Sequence, residues 1–572
     1  MMRQLFRFHG GVHPPTHKSQ SSEKAIVAAV MPSKLVIPLH QHVGNIARPV
    51  VKVGDRVLKG QVIGAPDGRL SSAVHASTSG IVAAIDMQVV AHPSALSDLC
   101  VTLIPDGLEE WVVNAGADYR ELSHTDLRHR LRQAGVVGLG GAVFPSDMKL
   151  YGGKNKIKAL VLNGAECEPY ITCDDRLMRE RADEILRGAE IMRALLYAEE
   201  VAIGIEDNKP EALAAMQQAI VEGRYQGIEA VAVPTVYPGG GAKQLIRVLT
   251  GIEVPAGVRS TDMGVQCFNV ATAYSAYRAI AHGEPMLSRI VTVTGNVANP
   301  QNFEVLFGTP VEELVAQAGT LPGTTGHLMG GPMMGFELPS AKVGVIKAAN
   351  CIIAMSEALF PPPAPAMPCI RCTRCVEACP QELQPQDLYW FARADNFGKA
   401  QEFSLFDCIE CGACAYVCPS HIPLVQYYRY AKSEIWARER DKTAADTARQ
   451  RHEFRQFRIE RDKQEKAAKL AEKERAAALA KQQAEAAQTT APADEDAQAR
   501  IQAAMQRVQA QHDQTHPKNT DHLTPQQQTE IAEVEARRAK IRELAHPEAD
   551  ISHPASHLQE VARPQPEDLP KE

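Results

Sequence analysis

The rhythm of apolar and polar residues shifts along this chain, and each shift marks a different kind of structure. From residue 30 to about 110, short apolar runs are punctuated by turn residues: Ser33-Lys-Leu-Val-Ile-Pro-Leu, Val51-Lys-Val-Gly-Asp-Arg-Val-Leu-Lys-Gly and His75-Ala-Ser-Thr-Ser-Gly-Ile-Val. Such alternation with Gly-Asp and Ser-Gly turns predicts a small all-β unit. From about 120 the period lengthens. Thr125–Ala134 reads as a helix with Leu127 and Leu131 on one face, and strands are expected at Ile157–Leu162, Val201–Ile205 and Ile228–Val233. Pro210-Glu-Ala opens a helix ending near Gly223, so strand and helix alternate as in a parallel α/β layer. Ile290-Val-Thr-Val-Thr-Gly, a turn and a helix over Pro310–Ala318 predict an α+β unit. Leu383–Phe403, with Leu388, Trp390, Phe391 and Phe397, reads as helical. Beyond residue 431, Ala, Gln, Glu, Lys and Arg dominate and large apolar residues are few. A helix of that kind has no stripe to bury. A solvated helix is expected to about residue 487, and disorder after it.

At 572 residues the chain exceeds one hydrophobic core, and its net charge of −7 argues against a nucleic-acid partner. Met1–Lys18 has no apolar run of signal-peptide length. No stretch approaches the roughly 18 apolar residues that span a bilayer. The best candidate, Val343–Phe360, is interrupted by Lys347, Asn350 and Glu357. The expectation is a soluble protein of a reducing, cytoplasmic compartment, held at a membrane only through a partner. Of the 13 cysteines, eight fall in one short segment, while Cys100, Cys167, Cys173, Cys267 and Cys351 are scattered. A secreted disulfide framework spreads its cysteines differently. For the scattered cysteines, and for His40, His42 and His75, packing roles are expected over ligand roles.

The eight clustered cysteines form two runs, Cys369-x2-Cys372-x2-Cys375-x3-Cys379-Pro380 and Cys408-x2-Cys411-x2-Cys414-x3-Cys418-Pro419. Both have the spacing of bacterial ferredoxins. Three thiolates two residues apart wrap one face of a cubane, and the fourth lies too far round to close the same cluster. Cys369, Cys372, Cys375 and Cys418 are therefore expected to hold one [4Fe–4S] cluster, and Cys379, Cys408, Cys411 and Cys414 the other. Structural zinc also uses thiolate pairs, but in two separated pairs and not a doubled run of four. The long helical connection between the runs points to a helical ferredoxin insert.

A glycine-rich stretch, Gly138-Leu-Gly-Gly-Ala-Val-Phe-Pro-Ser-Asp-Met-Lys149, carries the second signal. It fails as a dinucleotide fingerprint, because Val143 stands where glycine or alanine is needed and a helix precedes it. A loop of this kind brings backbone N–H groups to a phosphate, with Lys149 as counter-charge. An ordinary glycine loop is the alternative.

Gly138-x-Gly-Gly-Ala-x-Phe-Pro-x-x-x-Lys149 and Asn163-Gly-Ala-Glu-Cys-Glu-Pro169 resemble the FMN- and NADH-binding segments of the NADH-oxidising subunit of respiratory complex I. Tyr237-Pro-Gly-Gly-Gly241 and Phe268-Asn-Val-Ala-Thr272 fall where that subunit has further flavin-pocket loops. Gly54-Asp55 and Gly80 resemble the turns of lipoyl- and biotinyl-carrier domains, although the tip Ala76-Ser-Thr-Ser-Gly lacks the lysine that carries a cofactor there. The order of parts is similar to that of the RnfC family, which belongs to the Rnf electron-transport complex. The fold this implies is multidomain α/β and α+β. An N-terminal barrel-sandwich, lipoyl-like β-domain (1–115) is followed by an FMN-type α/β domain (116–285) and a β-grasp domain (286–345). A helical double-[4Fe–4S] ferredoxin domain (360–430) and a charged helical to disordered tail (431–572) complete it.

The resemblance implies a peripheral subunit on the cytoplasmic face of the bacterial inner membrane, working with integral membrane subunits and a ferredoxin-like redox partner. It would pass electrons between NADH and ferredoxin-like centres through FMN and two [4Fe–4S] clusters, coupled by its partners to ion translocation. Gly138, Gly140, Gly141 and Lys149 would cradle the FMN phosphate. Asn163, Glu166 and Asn269 would line the flavin site, and Phe144, Glu168 and Tyr237 would face the nicotinamide nucleotide. The complex I protein has arginine at the place of Leu139, an acidic residue at Ala165 and a pair of glutamates at Gly241-Ala242. Two other readings compete: cobalamin reductase of a microcompartment, and a non-catalytic relay or docking subunit that binds no flavin.

Overall fold

The structure is a computed structural model that describes residues 3–151, 156–488, 497–513 and 531–538. It divides into two units, Met1–Ala448 and Arg449–Glu572.

Strands as apolar as Ala159–Gly164 and Glu200–Glu206 cannot leave either face in water. They form the middle of a parallel sheet in the order Ile228–Val233, Glu200–Glu206, Ala159–Gly164, Val265–Asn269. Leu160, Leu162 and Ile203 point to a core shared with helices Ala182–Leu196 and Val270–Ala281. Val161 and Ala202 point the other way, onto Leu245 and Leu249 of helix Ala242–Thr250. The fourth strand was not expected, because Val-Gln-Cys-Phe-Asn has only one β-branched residue and two polar ones in five.

The N-terminal β-domain is two facing sheets. One runs Leu35–Pro38, Ser97–Pro105, Gly80–Val89, Arg56–Val57, and the other Arg48–Pro49, Val62–Ala65, Val74–His75. Ile37, Ile63, Val82 and Val101 fill the space between them. The tip that resembles a carrier hairpin is buried, with Ser77 Oγ donating to the Phe307 carbonyl at 2.8 Å.

A six-stranded sheet follows, in the order Val27–Ala28, Gln301–Leu306, Ser288–Gly295, Cys351–Ser356, Thr324–Met329, Phe336–Glu337. It exceeds the span 286–345 at both ends. Val27–Ala28 comes from the N-terminal arm, and Cys351–Ser356 is an inner strand paired on both sides. That strand supplies much of the apolar character of Val343–Phe360. Among the described residues no helix is long and apolar enough to cross a membrane.

Between the two cysteine runs the chain forms two helices, Pro385–Arg393 and Phe397–Glu402, not one. Asp395 takes a positive φ of 51°, and Asn396 caps the second helix by accepting from Lys399 N–H. Helix Leu424–Gln488 starts before residue 431 because Leu424, Val425, Tyr428, Ala431 and Ile435 recur at helical spacing and pack on the ferredoxin core. Residues after about 450 of that helix are exposed. Ala497–Asp513 is helical where disorder was expected; its run of Ala, Gln and Arg consists of good helix formers. The remaining stretches of the tail expected to be disordered lie outside the described residues, apart from 531–538, which are helical.

Three parts of the first unit meet at Lys347, which is 1% exposed. Its Nζ donates to the carbonyls of Gly135 (2.6 Å) and Ala73 (3.3 Å), and burial lowers its pKa to about 7. Burial, and then the neighbouring Lys347, push His75 down to about 3 and His42 to about 4. Both imidazoles bind protons more weakly folded than unfolded, so stability rises with pH in the window between about 4 and 6.5. Unfolding free energy is expected to fall by about 3 kcal/mol for each histidine as pH drops from 6.5 to 4. Urea denaturation across that range checks this, and the double variant His42→Gln/His75→Gln is expected to flatten the slope.

Candidate redox site

The cysteine ligands come from loops that each lead into a short helix, Arg374–Ala378 and Ala413–Tyr416. Cys369, Cys372, Cys375 and Cys418 line one cavity. Cys379, Cys408, Cys411 and Cys414 line a second. The last cysteine of each run thus sits with the first three of the other. All eight thiols are free. Burial pushes Cys375 up to about 11 and Cys411 to about 12, so thiolates persist here only against a compensating positive core. Four soft sulfur donors around each space fit an iron–sulfur cubane. The Glu410 N–H points at Cys408 Sγ (3.4 Å), the kind of contact that raises a cluster's potential.

Most residues expected at the flavin gather at the carboxyl ends of two neighbouring parallel strands, where open α/β sheets bind ligands. Asn163 and Asn269 are paired in register across those strands. The glycine turn folds over them. Gly138 N–H donates to Phe144 O (2.8 Å), Leu139 N–H to Thr272 Oγ1 (2.9 Å), and a Cβ at Gly140 would lie 3.4 Å from that of Asn269. Gly140 and Gly141 are exposed, and nothing lies within 4 Å of where a Gly141 Cβ would stand. Lys149 donates to the Cys267 carbonyl and lies 4.4 Å from the Phe268 ring centre. Burial lowers its pKa, and it forms no ion pair with a described carboxylate. A half-buried cation with no carboxylate partner among the described residues is a chemistry that fits the phosphate of FMN.

The segment Gly164–Thr172 carries more charge around it than the sequence revealed. Lys18 Nζ donates to the carbonyls of Ile171 (2.5 Å) and Glu168 (2.9 Å), and Lys209 Nζ to that of Glu166 (3.3 Å). Lys209 also pairs with Glu206, and both are 1% exposed. Neither lysine stood out in the sequence, where a lysine before a helix reads as a surface residue. Glu166, expected at the flavin, spends its carboxylate on the start of helix Cys173–Glu180. It accepts from Asp174 N–H (2.8 Å) and Asp175 N–H (3.4 Å). Burial and Glu166 together raise Asp174 to about 7, while Asn269 Nδ2 donates to it at 2.6 Å.

Of the residues expected to face nicotinamide, Phe144 lies half-buried on the returning limb of the glycine turn. Glu168 Oε1 accepts from Met333 N–H (2.7 Å) and Met334 N–H (3.0 Å), and burial raises its pKa. Tyr237 departs from expectation. It is 2% exposed and does not face an open cleft. Its hydroxyl lies between Glu168 and the carbonyl of Cys411, to which it donates at 2.5 Å. The N-terminal arm closes the same junction. Val12 and Tyr237 exchange backbone hydrogen bonds (2.8 and 2.9 Å), Gly11 N–H donates to Ala378 O (3.1 Å), and His9 Nδ1 lies 3.0 Å from Cys379 O.

Known proteins share this order of parts. Residues 6–108 match the RnfC barrel sandwich hybrid domain, 131–278 the Nuo51 FMN-binding domain, 290–337 the SLBB domain and 368–422 the 4Fe-4S dicluster domain. The chain is 46% identical over 544 residues to the C subunit of the ion-translocating oxidoreductase complex of Serratia proteamaculans, covering 94% of this chain and 74% of that one. The chain belongs to the RnfC family. Its relative in Yersinia pseudotuberculosis, which bears the same description, is 48% identical over 80% of this chain and 66% of its own, and that in Pasteurella multocida 47% over 78% and 54%. An NAD+-reducing [NiFe]-hydrogenase matches at 15% identity with a TM-score of 0.40 over 57% of this chain and 67% of that one, too slight a likeness to argue from. As an RnfC member the chain is an electron-transfer oxidoreductase subunit of a multi-subunit complex, with FMN and two [4Fe–4S] clusters as cofactors.

Two outcomes are expected. Cys379→Ala should abolish the same cluster as Cys411→Ala, and a different one from Cys372→Ala, each variant losing about four of about eight irons. Iron analysis and electron paramagnetic resonance of the reduced proteins check this. Lys209→Met leaves the Glu206 carboxylate buried and unpaired, at a cost of about 3–5 kcal/mol of stability, whereas Lys209→Met/Glu206→Gln should recover most of it in urea denaturation.

Proposed function

We propose that this RnfC protein passes electrons between NADH and ferredoxin-like centres through FMN and its two clusters, while integral membrane subunits couple the flow to ion translocation. It works as a peripheral subunit at the cytoplasmic face of the inner membrane. The observation that carries this reading is the Tyr237 hydroxyl, which joins Glu168 of the nucleotide-type loop to the backbone of the cluster ligand Cys411. An electron entering at the flavin pocket is thereby next to the second cysteine set, and the first set lies beyond it.

The residues divide the work. Gly138, Gly140, Gly141 and Lys149 hold the flavin phosphate, and Asn163 and Asn269 line the ring site, with Glu166 fixing the loop between them. Phe144 and Glu168 meet the nicotinamide nucleotide. Tyr237 acts from behind, holding Glu168 against the cluster loop. Bound flavin supplies the conversion between the two-electron chemistry of nicotinamide and the single electrons that cubanes accept. The family match weighs against the cobalamin reductase reading.

Anaerobic titration of the full chain with NADH tests the proposal. Bleaching of the flavin band, with the reduced-cluster signal of the Cys411 set appearing, is the expected result. Glu168→Gln should slow NADH-driven reduction about tenfold or more while leaving the dithionite-reduced spectrum unchanged. A flavin-loaded chain that NADH does not reduce places redox entry on a partner instead.

A further inference from the structure

The two cysteine runs are backbone repeats of each other with different surroundings. Arg371 and Glu410 occupy equivalent places with φ of 56° and 57°, and Thr373 and Gly412 do so with φ of 61° and 79°. In the second run this surface is covered from within. Cys411 is 7% exposed and its carbonyl accepts from Tyr237. A Cβ at Gly412 would stand 2.8 Å from the Met333 carbonyl, so only glycine admits the six-stranded sheet's loop that closely. Glu410 is neutralised by Lys432 (2.9 Å) and Arg429 (2.8 Å).

The equivalent surface of the first run is bare. Ile370 is 68% exposed, and Arg371, Cys372, Thr373 and Arg374 are all exposed. Among the described residues neither arginine forms an ion pair. Two unpaired guanidinium groups thus flank the exposed ligand Cys372, on a chain whose net charge is −7. Unpaired cations on a chain of net negative charge orient an acidic partner toward this rim.

We infer that the Ile370–Arg374 rim is the docking surface for a ferredoxin-type partner with an acidic face, seated on the first cluster as Tyr237 and the Met333 loop are seated on the second. The inference deepens the electron-relay reading and rests on its assignment of Cys369, Cys372, Cys375 and Cys418 to one cluster. In the step it supports, one electron passes between that cluster and the partner's cluster, one being oxidised as the other is reduced, with no bond or proton moved.

The test uses the full chain carrying both clusters, reduced anaerobically and mixed in a stopped-flow instrument with an acidic plant-type [2Fe–2S] ferredoxin as probe. A basic c-type cytochrome serves as the control acceptor. The wild-type rate with ferredoxin is expected to fall steeply with ionic strength. Arg371→Glu/Arg374→Glu should lower that rate about tenfold or more and flatten its salt dependence, with about eight irons and both cluster signals retained. Arg371→Lys/Arg374→Lys should restore rate and salt dependence, and the cytochrome should not be slowed by the glutamate pair. Equal ferredoxin rates in the three proteins, a wild-type rate insensitive to salt, or equal slowing toward both acceptors would overturn the docking surface. A chain that passes this test yet is not reduced by NADH fails the NADH reading alone.

Discussion

The contact between the flavin-type domain and the ferredoxin domain rests on the peptide between Cys411 and Gly412. The Cys411 carbonyl takes the Tyr237 proton in a hydrogen bond, and the absent side chain of Gly412 lets the Met333 backbone approach. A phenol donating to a buried carbonyl is a short-range, directional bond, and its loss would leave the buried Cys411 carbonyl without this partner. The junction therefore tolerates little change in the angle at which the flavin domain meets the ferredoxin domain. Electron transfer between centres is acutely sensitive to separation, and a rigid junction keeps that separation constant. The N-terminal arm adds a second clamp, since Gly10 packs so closely on Ala378 and Cys379 that a Cβ would lie 2.8 Å from their backbone atoms.

The same junction explains an otherwise expensive arrangement of charge. Lys209 is buried and Lys18 half-buried beside it, and desolvation together with the Lys209 charge lowers the pKa of Lys18. Their ammonium groups bind carbonyls of the Glu166–Ile171 segment, which is irregular backbone that no strand or helix satisfies. Buried backbone acceptors need partners. Supplying them from lysines fixes the loop that positions Glu166 and Glu168.

Much of this was legible in the sequence, because several signals rest on chemistry that spacing alone expresses. The doubled cysteine runs sit around two cavities in the crossed arrangement that their spacing implies. Three of the four parallel strands are apolar runs bounded by turn residues. What stayed hidden depends on tertiary neighbours. Val265–Asn269 becomes a strand through its pairing with Ala159–Gly164, not through its own propensity. The break at Ala394–Asn396 arises where Asn396 competes with the helix for its own cap. The inward placement of Lys18 and Tyr237 has no local signature, because each hydrogen-bonds to a segment distant in the chain: Lys18 to Glu168 and Tyr237 to Cys411.

The two cysteine runs share their ligands and their unusual backbone angles, so neither feature tells the clusters apart. The difference lies in the residues between ligands, Ile-Arg and Thr-Arg in one run against Ile-Glu and Gly-Ala in the other. Small residues and a neutralised carboxylate suit a loop pressed against its own chain, where bulk clashes and an unpaired charge is costly. Arginines suit a loop that must remain hydrated alone and become paired on encounter. In a duplicated motif the ligands state what is bound, and the spacers state which copy faces inward.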